Sequence, residues 1–164
     1  MRICFIVGRF PALSETFILN QMTGLMDAGC DIRIFACARG QDTVVHEDVV
    51  RHGLLHHTRY LTAVPRRWIV RFLKALVLLP WKAVQAPRQV FGALNVFRSG
   101  PRALSLELFY RALMFLEVKD HEIIVCHGGE QGILGLQMKE MGVLTGKLVT
   151  VFHVEDLADM VRAM

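Results

Sequence analysis

Short apolar runs alternate with amphipathic segments at both ends of the chain. Residues 2–7 form a run that is apolar from Ile3 onward, which predicts a strand covered on both faces. A loop over residues 8–13 and a helix capped by Ser14 are expected next. One face of this helix, which ends at Gly29, is formed by Phe17, Ile18, Met22, Leu25 and Met26. A second strand over residues 31–37 completes a predicted parallel, right-handed βαβ unit.

The same alternation returns toward the C-terminus. Residues 122–126 and 147–152 predict strands, separated by a loop over 127–131 and a helix over 132–141 that ends before Gly142. The middle of the chain predicts a short helix and a short strand within 44–61, then helices over 65–83, 87–97 and 101–118 that each open on a proline. The predicted fold is α/β: a Rossmann-like three-layer sandwich with a mainly parallel sheet and an inserted helical, basic region, as one domain over 1–164.

Composition narrows the class of protein. A chain of 164 residues, 53% hydrophobic and 21% charged, can fold without a disulfide or a metal. Its longest uncharged apolar run, residues 75–81, is far shorter than the about 20 residues that span a bilayer. The four cysteines are dispersed without a metal-binding spacing: Cys4, Cys30, Cys37 and Cys126. We expect reduced cysteines in a cytoplasmic protein, with no metal site.

Charge is distributed unevenly along the chain. Residues 49–106 contain ten basic residues and no Asp or Glu, whereas the rest of the chain has nine basic and fifteen acidic residues. A block of one sign is typical of a surface that docks onto something anionic. Nucleic acid is not expected, because aromatic residues are sparse in the block and no nucleic-acid motif occurs.

Within the basic block, Arg67, Arg71 and Lys74 fall on one side of the predicted helix. Opposite them lie Ile69, Phe72, Leu73 and Leu76, with Trp68 and Trp81 near the two ends. Basic and aromatic residues in this pattern are typical of helices in a bilayer interface, which predicts a peripheral contact with an anionic membrane. The alternative is a helix that packs its apolar face into the core and leaves its charged face in water.

The loops at the carboxyl ends of parallel strands are where ligands of such sheets bind. Gly8 permits a close backbone approach there, and Arg9 is either an anion-binding group or an exposed cation. His127 and His153 each follow a predicted strand, with Glu130 and Asp156 nearby, and are either functional or structural. No glycine-rich dinucleotide fingerprint and no Walker lysine motif follows the first strand.

Three ordered segments carry a resemblance to a known family. Residues 9–18 read RFPALSETFI, residues 124–129 read IVCHGG, and residues 146–156 read GKLVTVFHVED. They resemble the motifs R-F-P-x-L-S-E-T-F-I, I-x-H-C-H-F-G and G-K-L-V-T-T-F-H-G-x-D of bacterial family 4 glycosyltransferases of the exopolysaccharide and colanic-acid type. This chain departs from the motifs at Gly128, where the family has Phe, and at Val154, where it has Gly.

The resemblance implies the N-terminal, acceptor-side half of a GT-B enzyme, which transfers a sugar from a nucleotide sugar to an acceptor with retention and without a metal or other cofactor. By the motifs, His153 would contact the transferred sugar and Asp156 would hold its loop in shape. The substrate-binding residues would be Gly8, Arg9, Phe10, Ser14, Glu15, His127 and Gly129.

The resemblance also sets expectations for the whole protein. The acceptor would be a saccharide or a lipid-linked saccharide, and Arg67, Trp68, Arg71 and Lys74 would face the inner side of the membrane. The chain ends soon after the third motif, so we expect it to lack the nucleotide-sugar domain and to be inactive alone, with an exposed apolar cleft that favours a homodimer. The alternatives are a natural subunit whose donor half is a separate chain, and a non-catalytic, membrane-associating module.

Overall fold

A computed structural model describes residues 1–42, 44–61, 64–65, 67–94, 105–116 and 121–153. Within this part of the chain the strands are β1 (Arg2–Phe10), β2 (Asp31–Arg39), β3 (Thr58–Tyr60), β4 (Ile123–His127) and β5 (Lys147–Val151). The α-helices are α1 (Thr16–Asp27), α2 (Glu47–Arg51), α3 (Trp68–Gln85), α4 (Pro87–Ala93), α5 (Glu107–Phe115) and α6 (Gly129–Glu140). The short helix and short strand predicted within 44–61 are confirmed as α2 and β3.

The strands form one sheet in the order β3-β2-β1-β4-β5, and every neighbouring pair is parallel. Ile3 in β1 is paired with Ile32 in β2 on one side and with Ile123 in β4 on the other. The predicted Rossmann-like α/β fold is therefore confirmed. Because the strand order reverses at β1, the crevice between the carboxyl ends of β1 and β4 is the position where such sheets bind ligands.

Three strands extend beyond their predicted ends, and one of them is β2, which runs to Arg39 instead of residue 37. β1 continues to Phe10, because Arg9 and Phe10 still pair with Ala38 and Arg39 of β2, and β4 includes His127. The predicted loop over residues 8–13 was wrong for residues 8–10, which belong to β1. The apolar pattern stops before the exposed Arg9, but the backbone of β1 continues to pair with that of β2 as far as Phe10.

The start of α1 also differs from the prediction. Ser14 is not the cap: it lies in a short 3-10 helix (Leu13–Glu15), and Glu15 occupies the position before α1 without a side-chain capping bond. Asp42 takes the place of a capping residue at this turn: its Oδ2 accepts a hydrogen bond from the Leu13 N–H at 2.9 Å. The predicted helix end at Gly29 is confirmed by its φ of +80°, a conformation that favours glycine.

Both faces of the sheet are covered near β1. On one face, α1 and α2 enclose a core with β1 and β2 whose fully buried members include Phe5, Met22, Ile32, Ile34 and Leu54. On the other face, α6 lies so close that a Cβ at Gly135 would stand 2.6 Å from the Cys126 Sγ. This double coverage explains why β1 is continuously apolar.

The glycines of α6 are needed for this close approach. A Cβ at Gly132 would lie 2.6 Å from the Thr150 Cγ2 of β5. The glycine-rich segment before residue 132 predicts a loop because glycine disfavours helices, yet α6 begins three residues earlier, at Gly129. Tertiary packing therefore overrides the local helix propensity here. The predicted end before Gly142 is confirmed by the positive φ of that residue, +71°.

All four cysteines are free thiols, as predicted. Cys4 and Cys126 are fully buried at the centre of the sheet. Burial raises the pKa of the Cys126 thiol to about 12, with a smaller contribution from Cys37, and it raises the pKa of Cys4 further still. Both therefore behave as small apolar side chains.

The chain divides into two compact units. The first comprises Met1–Leu61, His121–Leu136 and Gly146–Met164, and the second comprises Thr62–Asp120 and Gln137–Thr145. In the second unit, α4 packs against both α3 and α5. α4 opens on Pro87 as predicted, whereas α3 begins at Trp68 rather than at Pro65. The predicted helix start at residue 101 and the predicted ends at 97 and 118 lie outside the described residues.

Candidate functional site

A cleft of about 460 Å³ lies at the carboxyl edge of the sheet, entirely within the first unit. We call it the carboxyl-edge cleft. Residues at the ends of β1, β2, β4 and β5 converge on it, as expected for the switch point of a parallel sheet. It is lined by Gly8, Arg9, Ala12, Ser14, Glu15, Gly40, Gln41, Asp42, His127, Gly128, Gln131 and His153.

One wall is formed where the segments after β1 and β2 meet. Gly40 donates its N–H to the Phe10 carbonyl at 3.1 Å, and a Cβ at this position would overlap the Pro11 carbonyl oxygen. Only glycine fits between these two backbones. Asp42 then accepts the Leu13 N–H, which ties the two segments together a second time.

Sequence reasoning missed this part of the wall. Residues 40–42 were assigned no role, although they follow a predicted strand whose end belongs to the same edge of the sheet as residues 8–13. A glycine followed two residues later by an aspartate, just past a strand, was the available signal.

Two histidines meet across the cleft. The Nδ1 of His127 lies 3.4 Å from the Nε2 of His153, and the two rings are parallel within 1° with their centroids 5.5 Å apart. Phe5 lies parallel to the His127 ring at 5.9 Å, and Phe17 tilts against the His153 ring at 4.8 Å. Phe17 was predicted on the core face of α1, but 49% of it is exposed and its ring faces the histidine pair.

The His127 side chain is uncharged at physiological pH. Burial lowers the pKa of His127 to about 4, and the neighbouring His153 adds a smaller effect in the same direction. The Nε2 of His127 is also buried without a hydrogen-bond partner among the described residues. Leaving this nitrogen without a partner costs the folded state about 1–3 kcal/mol.

The N-terminus of α6 points into the cleft region. Gly128 precedes the helix with φ of +103° and donates its N–H to the Val151 carbonyl at 2.9 Å. This backbone conformation suits glycine, so the departure from the family's Phe at Gly128 matches the local geometry. A Cβ at Gly8 would lie 3.3 Å from the Gln131 Nε2, so the Gln131 side chain packs against the Gly8 backbone. The positive pole of α6 and the exposed Arg9 bring positive charge to the cleft, which is also lined by the carboxylates of Glu15 and Asp42.

The other predicted site residues are distributed as follows. Ser14 and Glu15 line the cleft, Gly129 is the first residue of α6, and Phe10 is buried in the core rather than on the cleft wall. Asp156 and Val154 lie outside the described residues.

The four residues predicted to face a membrane lie in the second unit, three of them in α3 and Arg67 at the position just before it. Arg67, Trp68 and Lys74 are exposed. Arg71 is instead half-buried: its Nε donates to the Pro65 carbonyl at 3.0 Å and its Nη1 to the Ser105 carbonyl at 2.8 Å. Its assignment to an outward cationic face was wrong, because the periodicity of a helix does not reveal which side packs against its neighbours.

Fold and site together define a Rossmann-like α/β unit with a ligand-sized cleft at the switch point of its sheet. The chain is 30% identical, over 159 residues, to a Salmonella typhimurium protein that carries the name colanic acid biosynthesis glycosyltransferase WcaL. It is 28% identical to the Escherichia coli protein of the same name and 32% identical to the amylovoran biosynthesis glycosyltransferase AmsK of Erwinia amylovora.

Each of these matches covers 96% of this chain but only 38–39% of the relative, so the chain spans under two fifths of the length of the relatives it matches. No family model and no solved structure matches the chain. The names of the relatives agree with the class of enzyme indicated by the three sequence motifs.

Proposed function

We propose that this chain is the acceptor-binding, N-terminal domain of a retaining GT-B glycosyltransferase of family 4. The enzyme transfers a sugar from a nucleotide sugar to a saccharide or lipid-linked acceptor during the synthesis of a cell-surface polysaccharide, at the cytoplasmic face of the membrane. The similarity over 96% of the chain to relatives named as polysaccharide glycosyltransferases carries the proposal. The strand order and the cleft at the switch point support it.

The carboxyl-edge cleft has the size and chemistry for this role. A volume of about 460 Å³ is within the range of small-ligand sites and suits one saccharide unit. The ring of His153, which lines the cleft, can donate to or accept from a sugar hydroxyl. The exposed Arg9 and the N-terminus of α6 supply positive charge for a diphosphate without a bound metal.

In this proposal His153 contacts the transferred sugar and Asp156 shapes the loop that carries it. His127 positions His153 through the 3.4 Å contact between their ring nitrogens. Because the relatives are more than twice as long as this chain, the groups that bind the nucleotide would come from the remaining length, and we expect the 164-residue chain alone not to turn over a nucleotide sugar.

The proposal is tested on the complete reading frame that contains this chain. The purified product is incubated with a panel of labelled nucleotide sugars and a lipid extract, and transfer of label is measured. We expect transfer to fall at least 100-fold in His153→Ala and to be unchanged in His56→Ala, a matched histidine that is exposed away from the cleft. The proposal would be overturned by a folded product that neither transfers a sugar from any donor nor hydrolyses one. Equal transfer rates in the two variants would also overturn it.

A further inference from the structure

The helix α3 presents an unusual surface for its length. Ala75 is its buried residue, at 1% exposure, whereas eight large apolar side chains are each more than half exposed. They are Trp68, Ile69, Phe72, Leu73, Leu76, Val77, Trp81 and Val84, which we call the apolar face of α3. Contiguous exposed apolar surface of this kind marks an interaction site.

The apolar face runs along almost the whole helix. From Trp68 to Val84 there are sixteen steps, a length of about 24 Å at 1.5 Å per residue. A tryptophan stands near each end, and the exposed cations Arg67 and Lys74 flank the face. The packed side of the helix is the side of Ala75 and Arg71. The alternative expectation, that the apolar face packs into the core and the charged face is solvated, is therefore wrong.

Charge identifies the occupant of this face. Residues 49–106 contain ten basic residues and no acidic ones. α3 itself carries only basic charges and no carboxylate, so pairing with the α3 of a second copy is repulsive, whereas an anionic bilayer offers both acyl chains and negative headgroups. In the described part of the chain no helix has the length and hydropathy to cross a membrane. A helix of this composition lies along the interface.

We propose that α3 docks onto an anionic lipid bilayer, with its apolar face among the acyl chains and with Arg67 and Lys74 at the headgroups. This contact is independent of the proposed catalysis, because it uses no residue of the carboxyl-edge cleft. Its failure would leave the proposed sugar transfer untouched and would remove only the proposed location at the membrane, and a failed transfer assay would leave the docking of α3 untouched.

The chain carries its own reporter of this contact. It contains two tryptophans, Trp68 and Trp81, and both belong to the apolar face of α3. On adding vesicles of phosphatidylcholine with 30% phosphatidylglycerol (about a third anionic lipid, as in a strongly charged membrane), we expect the emission to shift to shorter wavelength and to be quenched by lipids brominated on their acyl chains. Unchanged emission would overturn the proposal. A shift that depends on protein concentration and needs no lipid would overturn it in favour of a second copy.

A matched pair of substitutions locates the contact. Val77 and Val50 are 75% and 70% exposed, in the second and first units respectively. Val77→Glu should weaken partitioning onto these vesicles at least tenfold, whereas Val50→Glu should leave it unchanged, with circular dichroism confirming that both variants are folded. Equal partitioning of the two variants would contradict docking through α3.

A second pair of changes tests the cationic contribution. Each cation close to an anionic surface contributes about fivefold to partitioning at low salt, so Arg67→Ala with Lys74→Ala should reduce it roughly 30-fold. The loss should disappear on vesicles of phosphatidylcholine alone. An equal loss on both kinds of vesicle would show that charge does not guide the docking and would overturn its anionic specificity.

Discussion

The two units use their apolar residues in opposite ways. In the first unit, apolar runs go inward: β1 is buried from Ile3 to Val7, and polar side chains at the carboxyl ends of β1 and β4, Arg9 and His127, line the cleft. In the second unit, α3 turns Leu76 and Val77 outward and packs through Ala75 and Arg71. Hydrophobic periodicity therefore predicts an element and its faces, while the neighbouring elements decide which face is covered.

The largest expected effect is in the first unit, at the wall of the cleft. Gly40→Ala would place a methyl group on the Pro11 carbonyl oxygen and force the segments after β1 and β2 apart. We expect a loss of about 3 kcal/mol or more in the free energy of unfolding, measured by urea denaturation.

Gly24→Ala is the matched control for this substitution. Gly24 is an α1 residue with nothing within 4 Å of an added Cβ. Because alanine is the better helix former, this variant should gain about 0.5–1 kcal/mol. A Gly40→Ala variant as stable as the native chain would mean that the wall is not closely packed there.

The next effect compares two positions of α3 that are two residues apart. Ala75→Glu puts a carboxylate on the packed side of the helix, and Val77→Glu puts the same group on the exposed side. We expect a loss of about 2 kcal/mol for the first, because a buried charge must be desolvated, and less than about 0.5 kcal/mol for the second. Thermal unfolding of the two variants measures the difference, and the reverse order would place the apolar face of α3 inward.

The sequence predicts the fold better than it predicts the site, for physical reasons. Apolar runs and Gly29 sufficed for the strands and for the end of α1, because both signals are local. The extension of β1 through Phe10 depends on backbone pairing with β2, which leaves no mark on side-chain pattern. Gly40 must be glycine because the Pro11 carbonyl lies against it, and Arg71 is turned inward because it donates to the Ser105 carbonyl. Both partners are distant in sequence, so the residues around Gly40 and Arg71 do not reveal them.

The histidine pair is an instance of this limit. His127 and His153 were both expected near the same edge, since each follows a strand of a parallel sheet. Their 3.4 Å contact, and Phe17 against both rings, depend on the spacing of β4 and β5 and on the direction of α1. A periodic pattern placed Phe17 in the core because it cannot distinguish a core from the apolar side of a cleft.

The smallest expected effect tests the buried histidine through pH. In the folded chain the pKa of His127 is about 4, below its ordinary value of 6.5, because burial disfavours the charged ring. The unfolded chain therefore binds this proton first as the pH falls, and stability is lost between about pH 6.5 and pH 4. We expect this histidine to account for about 1.8 kcal/mol of the loss between pH 7 and pH 5, as measured by urea denaturation at each pH. His127→Gln should reduce the loss by that amount, whereas His56→Gln should keep it in full. If both variants lose stability as the native chain does, the His127 ring is not sequestered from water, and the neutral state assigned to His127 in the carboxyl-edge cleft would not hold.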